Sequence, residues 1–314
     1  MRLIARRLIM LVVVVILATF IVFALQKARG GDPAAAAIPF GTPAQRAQFN
    51  KDQHLDDPYF VQYAKWLGNF VQGDMGKKYD TNQDVSDLVK DAAPVTIQLI
   101  LYSQVLALLI AIPAGVFTAY RAGSKSDTAI NAVAFGLLSI PALVLALVLS
   151  YYFGAKWKIF TSGYVPLGAG LSEHIQGMVL PVVTLAVGQI AIYMRLLRSD
   201  MIATLQENFI TMAKSKGISN QRVLWRHALR PSSLTLLTVA GLNLGTLISG
   251  AVIVEVLFSL PGIGQLLATS IYAVQYPMLQ SLVALIAIVY VVINFILDVL
   301  YVIVDPRIRH ASAT

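Results

Sequence analysis

Residues 232–254 read Ser-Ser-Leu-Thr-Leu-Leu-Thr-Val-Ala-Gly-Leu-Asn-Leu-Gly-Thr-Leu-Ile-Ser-Gly-Ala-Val-Ile-Val, twenty-three positions without a charged side chain. About 20 mostly apolar residues suffice for a helix to cross a bilayer, so this run is long enough. Five other runs share its character: Leu8–Leu25, Pro94–Tyr120, Ala129–Phe153, Met178–Leu197 and Leu279–Val304. The composition agrees, with 57% hydrophobic residues, 13% charged and a mean hydropathy of +0.70, too apolar for an ordinary soluble domain. A transmembrane β-barrel needs alternating segments of about ten residues, whereas these runs are continuous. The expected fold is an all-α integral membrane protein with six transmembrane helices.

Outward from that run, charge assigns the sides. Upstream, Arg195 to Arg230 carries seven basic residues against Asp200 and Glu207. Arg2, Arg6 and Arg7 open the chain, Arg121 and Lys125 follow the second run, and Arg307 and Arg309 lie in the tail. Downstream, 255–277 holds no Lys or Arg, and 154–177 only Lys156 and Lys158. Basic connections stay cytoplasmic, so both termini are expected inside. The expected division is an N-terminal transmembrane helix (1–26), an extracytoplasmic segment (27–93), a five-helix core (94–304) containing the polar loop 198–231, and a cytoplasmic tail (305–314). The net charge of +8 then belongs to one membrane face, and nucleic acid is not an expected partner. A cleavable signal peptide competes for the first run, but its apolar core exceeds the usual 7–15 residues, which favours a retained span. The absence of Cys excludes disulfides and thiolate metal sites.

The 27–93 segment is long for an unstructured loop. Phe60, Tyr63, Ala64, Leu67 and Val71 recur at helical spacing, which predicts an amphipathic helix over 59–71. The segment reads equally as a cap over the helix ends and as a docking surface for an external partner. Pro94 suits an early helical position, where its missing N–H costs nothing. The stripe Gly241, Gly245, Ser249 favours close helix packing over a pore-lining face.

In the polar loop, Thr211–Lys216 reads as a helix that Gly217 ends in the left-handed conformation. Ser219 suits an N-cap for a second short helix, Arg222–Ala228. Phe209, Met212 and Ala213 on the first helix, with Val223 and Leu224 on the second, form an apolar set able to enter a partner's groove. Lys214, Lys216, Arg222, Arg226 and Arg230 surround it. A hairpin lying on anionic lipid accounts for the same pattern.

The spacing Ala213, Gly217, His227, Pro231 and the run Trp225 to Arg230 resemble the cytoplasmic coupling loop of ABC-importer permeases of the dipeptide/oligopeptide/nickel family. Other matches are Gly31-Asp32-Pro33, Gly73-Asp74-Met75-Gly76, Pro94-x-Thr96-x-x-Leu99, Glu255 to Gly264 followed by Tyr276-Pro277, and Asn294 to Arg307. Two positions depart from the pattern: Thr211-Met212-Ala213 replaces Glu-Ala-Ala, and Gln275 stands where Asp is common. The resemblance implies a non-catalytic permease subunit in the bacterial inner membrane, importing peptides or a similar small solute. It implies partners: a second permease subunit in a heterodimer, two cytosolic ATPases that bind ATP and Mg, and an extracytoplasmic binding protein. It assigns ATPase coupling to Phe209, Thr211, Met212, Ala213, Lys216, Gly217, Val223 and Leu224, with no cofactor, metal or catalytic residue in this chain.

What the chain lacks points the same way. It has no Gly-x-x-x-x-Gly-Lys-Ser/Thr phosphate loop, and His54, His174, His227 and His310 each read as a lone polar loop residue. An ion- or proton-coupled secondary transporter is the alternative; it needs ionisable groups inside the bilayer, and only Asp298 and, at an edge, Glu255 qualify. Breaks at Pro113 and Pro141 suit either class.

Overall fold

A computed structural model describes residues 2–160 and 163–304, with side chains described for 9–160 and 163–297. In chain order the helices are α1 (Arg2–Arg29), α2 (Pro33–Ala37), α3 (Pro43–Asp52), α4 (Tyr59–Val71), α5 (Val85–Tyr120), α6 (Lys125–Ser139) and α7 (Ala142–Leu149). There follow α8 (Leu171–Leu205), α9 (Asn208–Ser215), α10 (Asn220–Arg222), α11 (Leu229–Phe258), α12 (Ile263–Tyr272) and α13 (Tyr276–Val304). Among the described residues no strand forms beyond one isolated bridge between Lys77 and Asp84.

Among the described residues five helices are long and apolar enough to cross a membrane, and a sixth crossing results if one bent pair counts as a single span. That pair covers the third apolar run, 129–153, and breaks at Pro141, one of the two prolines at which the sequence pointed to a break. The run divides into α6 and α7, which with its π-helical continuation Ser150–Lys156 is bent by 96° from α6. Pro141 is the cause: it has no N–H to donate, and it drives Ile140 to extended backbone at φ −84°, ψ 119°. Pro113 causes no such break and lies inside the unbroken α5, where buried Ala111, Val116 and Ala119 pack that length of the helix. Pro94, expected near a helix start, also falls inside α5, which begins at Val85. Burial explains the longer helix, because Val85 and Ala92 share a core with Ile263, Met278 and Leu282.

The chain forms two compact units. The first comprises residues 1–96 and 261–295. Here the amphipathic helix expected over 59–71 is α4, and it packs on α1: the Tyr63 hydroxyl lies 2.9 Å from Thr19 Oγ1 and donates to the Ile16 carbonyl at 3.1 Å. Phe20 and Phe23 meet the Tyr63 ring at 5.5 and 5.7 Å. Trp66 Nε1 donates to Ser281 Oγ, which donates onward to the Met75 carbonyl. Gly76 has φ +82°, and a Cβ there would come within 2.8 Å of Pro277 Cβ, so this approach requires glycine. Gln275 is buried, and its Oε1 accepts from the Tyr79 N–H at 2.6 Å; a neutral amide suffices at this position.

The second unit comprises residues 97–260 with the end of α13. α8 and α11 are its central pair, with α6 and α7 against α8. Small buried residues on α5, α8 and α11 (Ala107, Ala111, Ala186, Ala191, Ala240) let helices approach closely. Gly241 is buried and faces Leu297, in keeping with the packing reading of its stripe. Polar side chains within these helices bond to one another: Tyr193 to Gln104 at 3.1 Å, and Asn243 to Gln189 at 3.0 Å.

Candidate functional site

The polar loop lies wholly in the second unit, and its first helix is α9, whose end follows the sequence reading. Gly217 has φ +77°, and its N–H donates to the Lys214 carbonyl at 2.9 Å. The Ile218 N–H reaches the Ala213 carbonyl at 3.2 Å. These two bonds are the pair that closes a helix when a left-handed residue follows it. A Cβ at Gly217 would meet nothing within 4 Å, so the requirement for glycine here is conformational rather than steric.

The second half of the loop differs from the expectation. Ser219 occupies the cap position with extended backbone, but its side chain makes no cap bond. The helix that starts there does not stop at Ala228. α10, a π-helical turn over Val223–Ala228 and α11 run on as a single helix from Asn220 to Phe258. In the π turn the Leu229 N–H reaches back to the Leu224 carbonyl, a local widening of the kind often found at functional sites. Pro231 follows it inside α11.

Burial divides the predicted coupling residues in two. Phe209 (46% exposed) and Met212 (60%) face outward, as do Thr211, Lys216 and Gly217. Ala213, Val223 and Leu224 do not: they are buried in this chain's own core with Met201, Ile210, Tyr193 and Leu197. The expectation that all five apolar positions present themselves to a partner is therefore corrected. A short two-helix loop can stay on its scaffold only by burying an apolar face of its own, and these three residues form part of that face. Ile210 belongs to it too, and sequence reasoning missed it. Trp225, named above in the run Trp225 to Arg230 but not among the coupling residues, is 49% exposed on the π turn. It directly follows buried Val223 and Leu224, and three consecutive apolar residues carry no spacing that tells the exposed one from the covered two. Lys214, Arg222, Arg226 and Arg230 are all exposed around this surface.

Two polar ties fix the base of the loop. Thr204 Oγ1 and Ser232 Oγ lie 2.9 Å apart and join the end of α8 to the start of α11. Just inside α8, Arg198 meets Asp127 in a bidentate pair, with Nε to Oδ1 at 2.7 Å and Nη2 to Oδ2 at 2.6 Å. Asp127 is 3% exposed and also accepts from the Gly123 N–H and the Asn131 amide. With its charge paired and its remaining lone pairs filled, the carboxylate meets the condition for a stable buried ion pair. This pair links the first turn of α6 to the helix that carries the polar loop.

Elsewhere, His174 corrects the surface reading. It is 1% exposed, with Nδ1 2.6 Å from the Val165 carbonyl oxygen and its ring edge-on to Tyr102 and Tyr164. Glu255 is fully buried in α11. The side chain of Asp298 and the whole of His310 lie outside the described residues. Among the described residues no group of His, Cys, Asp and Glu is arranged to hold a metal ion.

Residues 111–310 match the family described as the binding-protein-dependent transport system inner membrane component, and residues 1–100 match the N-terminal part of such components. The chain belongs to this family. It is an ABC-importer permease, a non-catalytic inner-membrane subunit that works with an ATPase and a binding protein. The permease is 38% identical to the oligopeptide transport system permease protein AppB of Bacillus subtilis, over 98% of this chain and 99% of that protein. It is 32% identical to the di/tripeptide transport system permease protein DppB of Pseudomonas aeruginosa, over 98% of each chain. A dipeptide transport system permease protein of Alkalihalophilus pseudofirmus is 30% identical, over 97% of this chain and 98% of its own.

Proposed function

We propose that this permease imports peptides, that loop 198–231 is the cytoplasmic surface on which an ATPase docks, and that a second, different permease chain completes the path. The peptide cargo is supported by the relatives, whose names specify oligopeptide, di/tripeptide and dipeptide transport. Both termini are placed inside by the Lys/Arg asymmetry, which leaves 27–93 outside to meet the binding protein. ATP and Mg belong to the ATPases, because this sequence holds no phosphate loop.

One observation carries the docking role. Phe209, Met212 and Trp225 are exposed on a loop whose other face is buried and whose base is tied by Thr204–Ser232 and Arg198–Asp127. An arm held this firmly transmits a push from a closing ATPase to α8 and α11. A hairpin resting on lipid has no need of such anchoring. Thr211, Lys216 and Gly217 border the apolar contact, while Ala213, Val223 and Leu224 couple it to the helices from beneath. The test is ATP hydrolysis by the purified complex with its binding protein, titrated with di- and oligopeptides. Stimulation by peptides is the expected result; stimulation by another solute and not by peptides overturns the cargo assignment.

A further inference from the structure

We infer that the exposed face shared by α8 and α11 lines the import path, and that Arg195 on this face receives the carboxylate of the passing peptide. The face is polar at mid-membrane depth. Asn243 stands at the midpoint of the uncharged run 232–254, and its amide donates to Gln189 Oε1 at 3.0 Å. Gln189 Nε2 donates in turn to Thr246 Oγ1 at 3.5 Å, at the surface of the helix pair. Polar side chains inside a bilayer face a bundle interior or a water-filled cavity rather than lipid. α5 shows the contrast. Ile97, Leu101, Val105 and Leu109 follow one another along one side of that helix, and all four are exposed and aliphatic, which suits lipid.

The second observation is Arg195, further along α8 from Gln189 by about 9 Å, at 1.5 Å per residue. It borders an open cleft of about 480 Å³ between α6, α8 and α11, together with Asn131, Ile192, Ser199 and Val239. Its guanidinium lies over the Phe135 ring at 4.0 Å, and among the described residues it has no ion pair or hydrogen bond. Stacking fixes the plane of the group and leaves its N–H edge free to donate. Arg198, the other cation of the cleft, is neutralised by Asp127, and among the described residues no carboxylate lines the wall. The cleft thus keeps one uncompensated positive charge, on a planar group that pairs bidentately with a carboxylate. Ser199, one turn further on the same side of α8, adds a hydroxyl. On the sidedness proposed above, Arg195 lies at the cytoplasmic end of the polar face, where cargo leaves the path.

The carboxylate rests on the peptide reading, whereas the path surface rests on the polar face alone. Because the chain has no Cys, single cysteines report that surface directly. In the purified complex in lipid nanodiscs, Thr246→Cys and Ile192→Cys should react with a membrane-impermeant methanethiosulfonate, with the label read on this chain. Leu109→Cys, on the aliphatic side of α5, should stay unlabelled. Labelling at the first two positions no faster than at Leu109→Cys overturns the path assignment, since lipid or a dry subunit contact then covers the face. For the arginine, the complex with its ATPases and binding protein is reconstituted in proteoliposomes and supplied with Ala-Leu-Ala or its C-terminal amide. Arg195→Gln should lower uptake of the free acid roughly tenfold, as loss of a hydrogen bond between charged groups implies, while uptake of the amide stays near the wild-type value. Comparing variant with wild type for each cargo cancels any preference of the binding protein. Equal loss for both cargoes overturns the carboxylate role and is the result expected of a lipid phosphate on Arg195; no loss for either overturns it as well. ATPase stimulation reads the cargo and cysteine labelling reads the path, so failure of one is distinguishable from failure of the other.

Discussion

At the scale of single residues, Gly217 and Asp127 make the sharpest predictions. A β-branched residue in the left-handed region costs roughly 1–2 kcal/mol, and Gly217 sits there at φ +77° with open space beyond it. Gly217→Val should therefore insert normally and still pair with its sister permease, but lose most transport through a distorted end of α9. Uptake, ATPase co-purification and membrane abundance measured together check this, and normal uptake at normal abundance would refute the role given to Gly217. Asp127→Asn acts differently. It leaves the Arg198 guanidinium without its counter-charge in a site where the carboxylate is 5% exposed and the guanidinium 27%. The expected loss lies toward the low end of the roughly 3–5 kcal/mol that breaking a buried pair costs. It should appear as a lowered thermal midpoint of the detergent-solubilised protein, and an unchanged midpoint would show that the pair does not anchor α8 to α6.

At the scale of elements, α9 separates two roles that adjacent residues perform. Ile210 is 1% exposed and Phe209 is 46% exposed. Ile210→Ala should destabilise the protein by roughly 2–5 kcal/mol, the usual cost of emptying a packed site. Phe209→Ala should leave stability within about 0.5 kcal/mol, as surface changes generally do, and yet reduce the amount of ATPase that co-purifies. Full ATPase recovery with Phe209→Ala combined with Met212→Ala and Trp225→Ala would remove the docking surface from the proposal. The α6–α7 pair teaches a related lesson. Hydropathy over 129–153 is continuous, but Pro141 interrupts the backbone ladder and the chain turns by 96°. Apolar composition measures transfer into lipid, not the straightness of what is transferred.

At the scale of the whole molecule, the charge asymmetry makes a topological prediction. Reporter fusions after Arg121, Gln221 and Arg309 should register inside, and those after Gln53, Tyr164 and Gly264 outside. An inside signal at Gln53 would overturn the arrangement in which 27–93 meets the binding protein. The permease alone should neither bind nor hydrolyse ATP, measured on the rigorously purified chain, and turnover should appear only when the ATPases are added.

Periodicity and charge along the chain determined the helical membrane class, the amphipathic α4, the loop between α8 and α11 and the left-handed turn at Gly217. These are local properties: transfer of a run of side chains into lipid, the spacing of an apolar stripe, and the φ that one residue tolerates. Only the tertiary structure decided which side of that loop is used inward. Ala213, Val223 and Leu224 are as apolar as Phe209 and Met212, and nothing in their spacing tells a core contact from a free one. The difference lies in what α5, α8 and α11 place against them. The same holds for Asp127 with Arg198, 71 positions apart, and for Val85 and Ala92, whose burial carries α5 past Pro94 to an earlier start. Long-range packing makes each of these contacts, and a one-dimensional pattern does not encode which distant partner will be there.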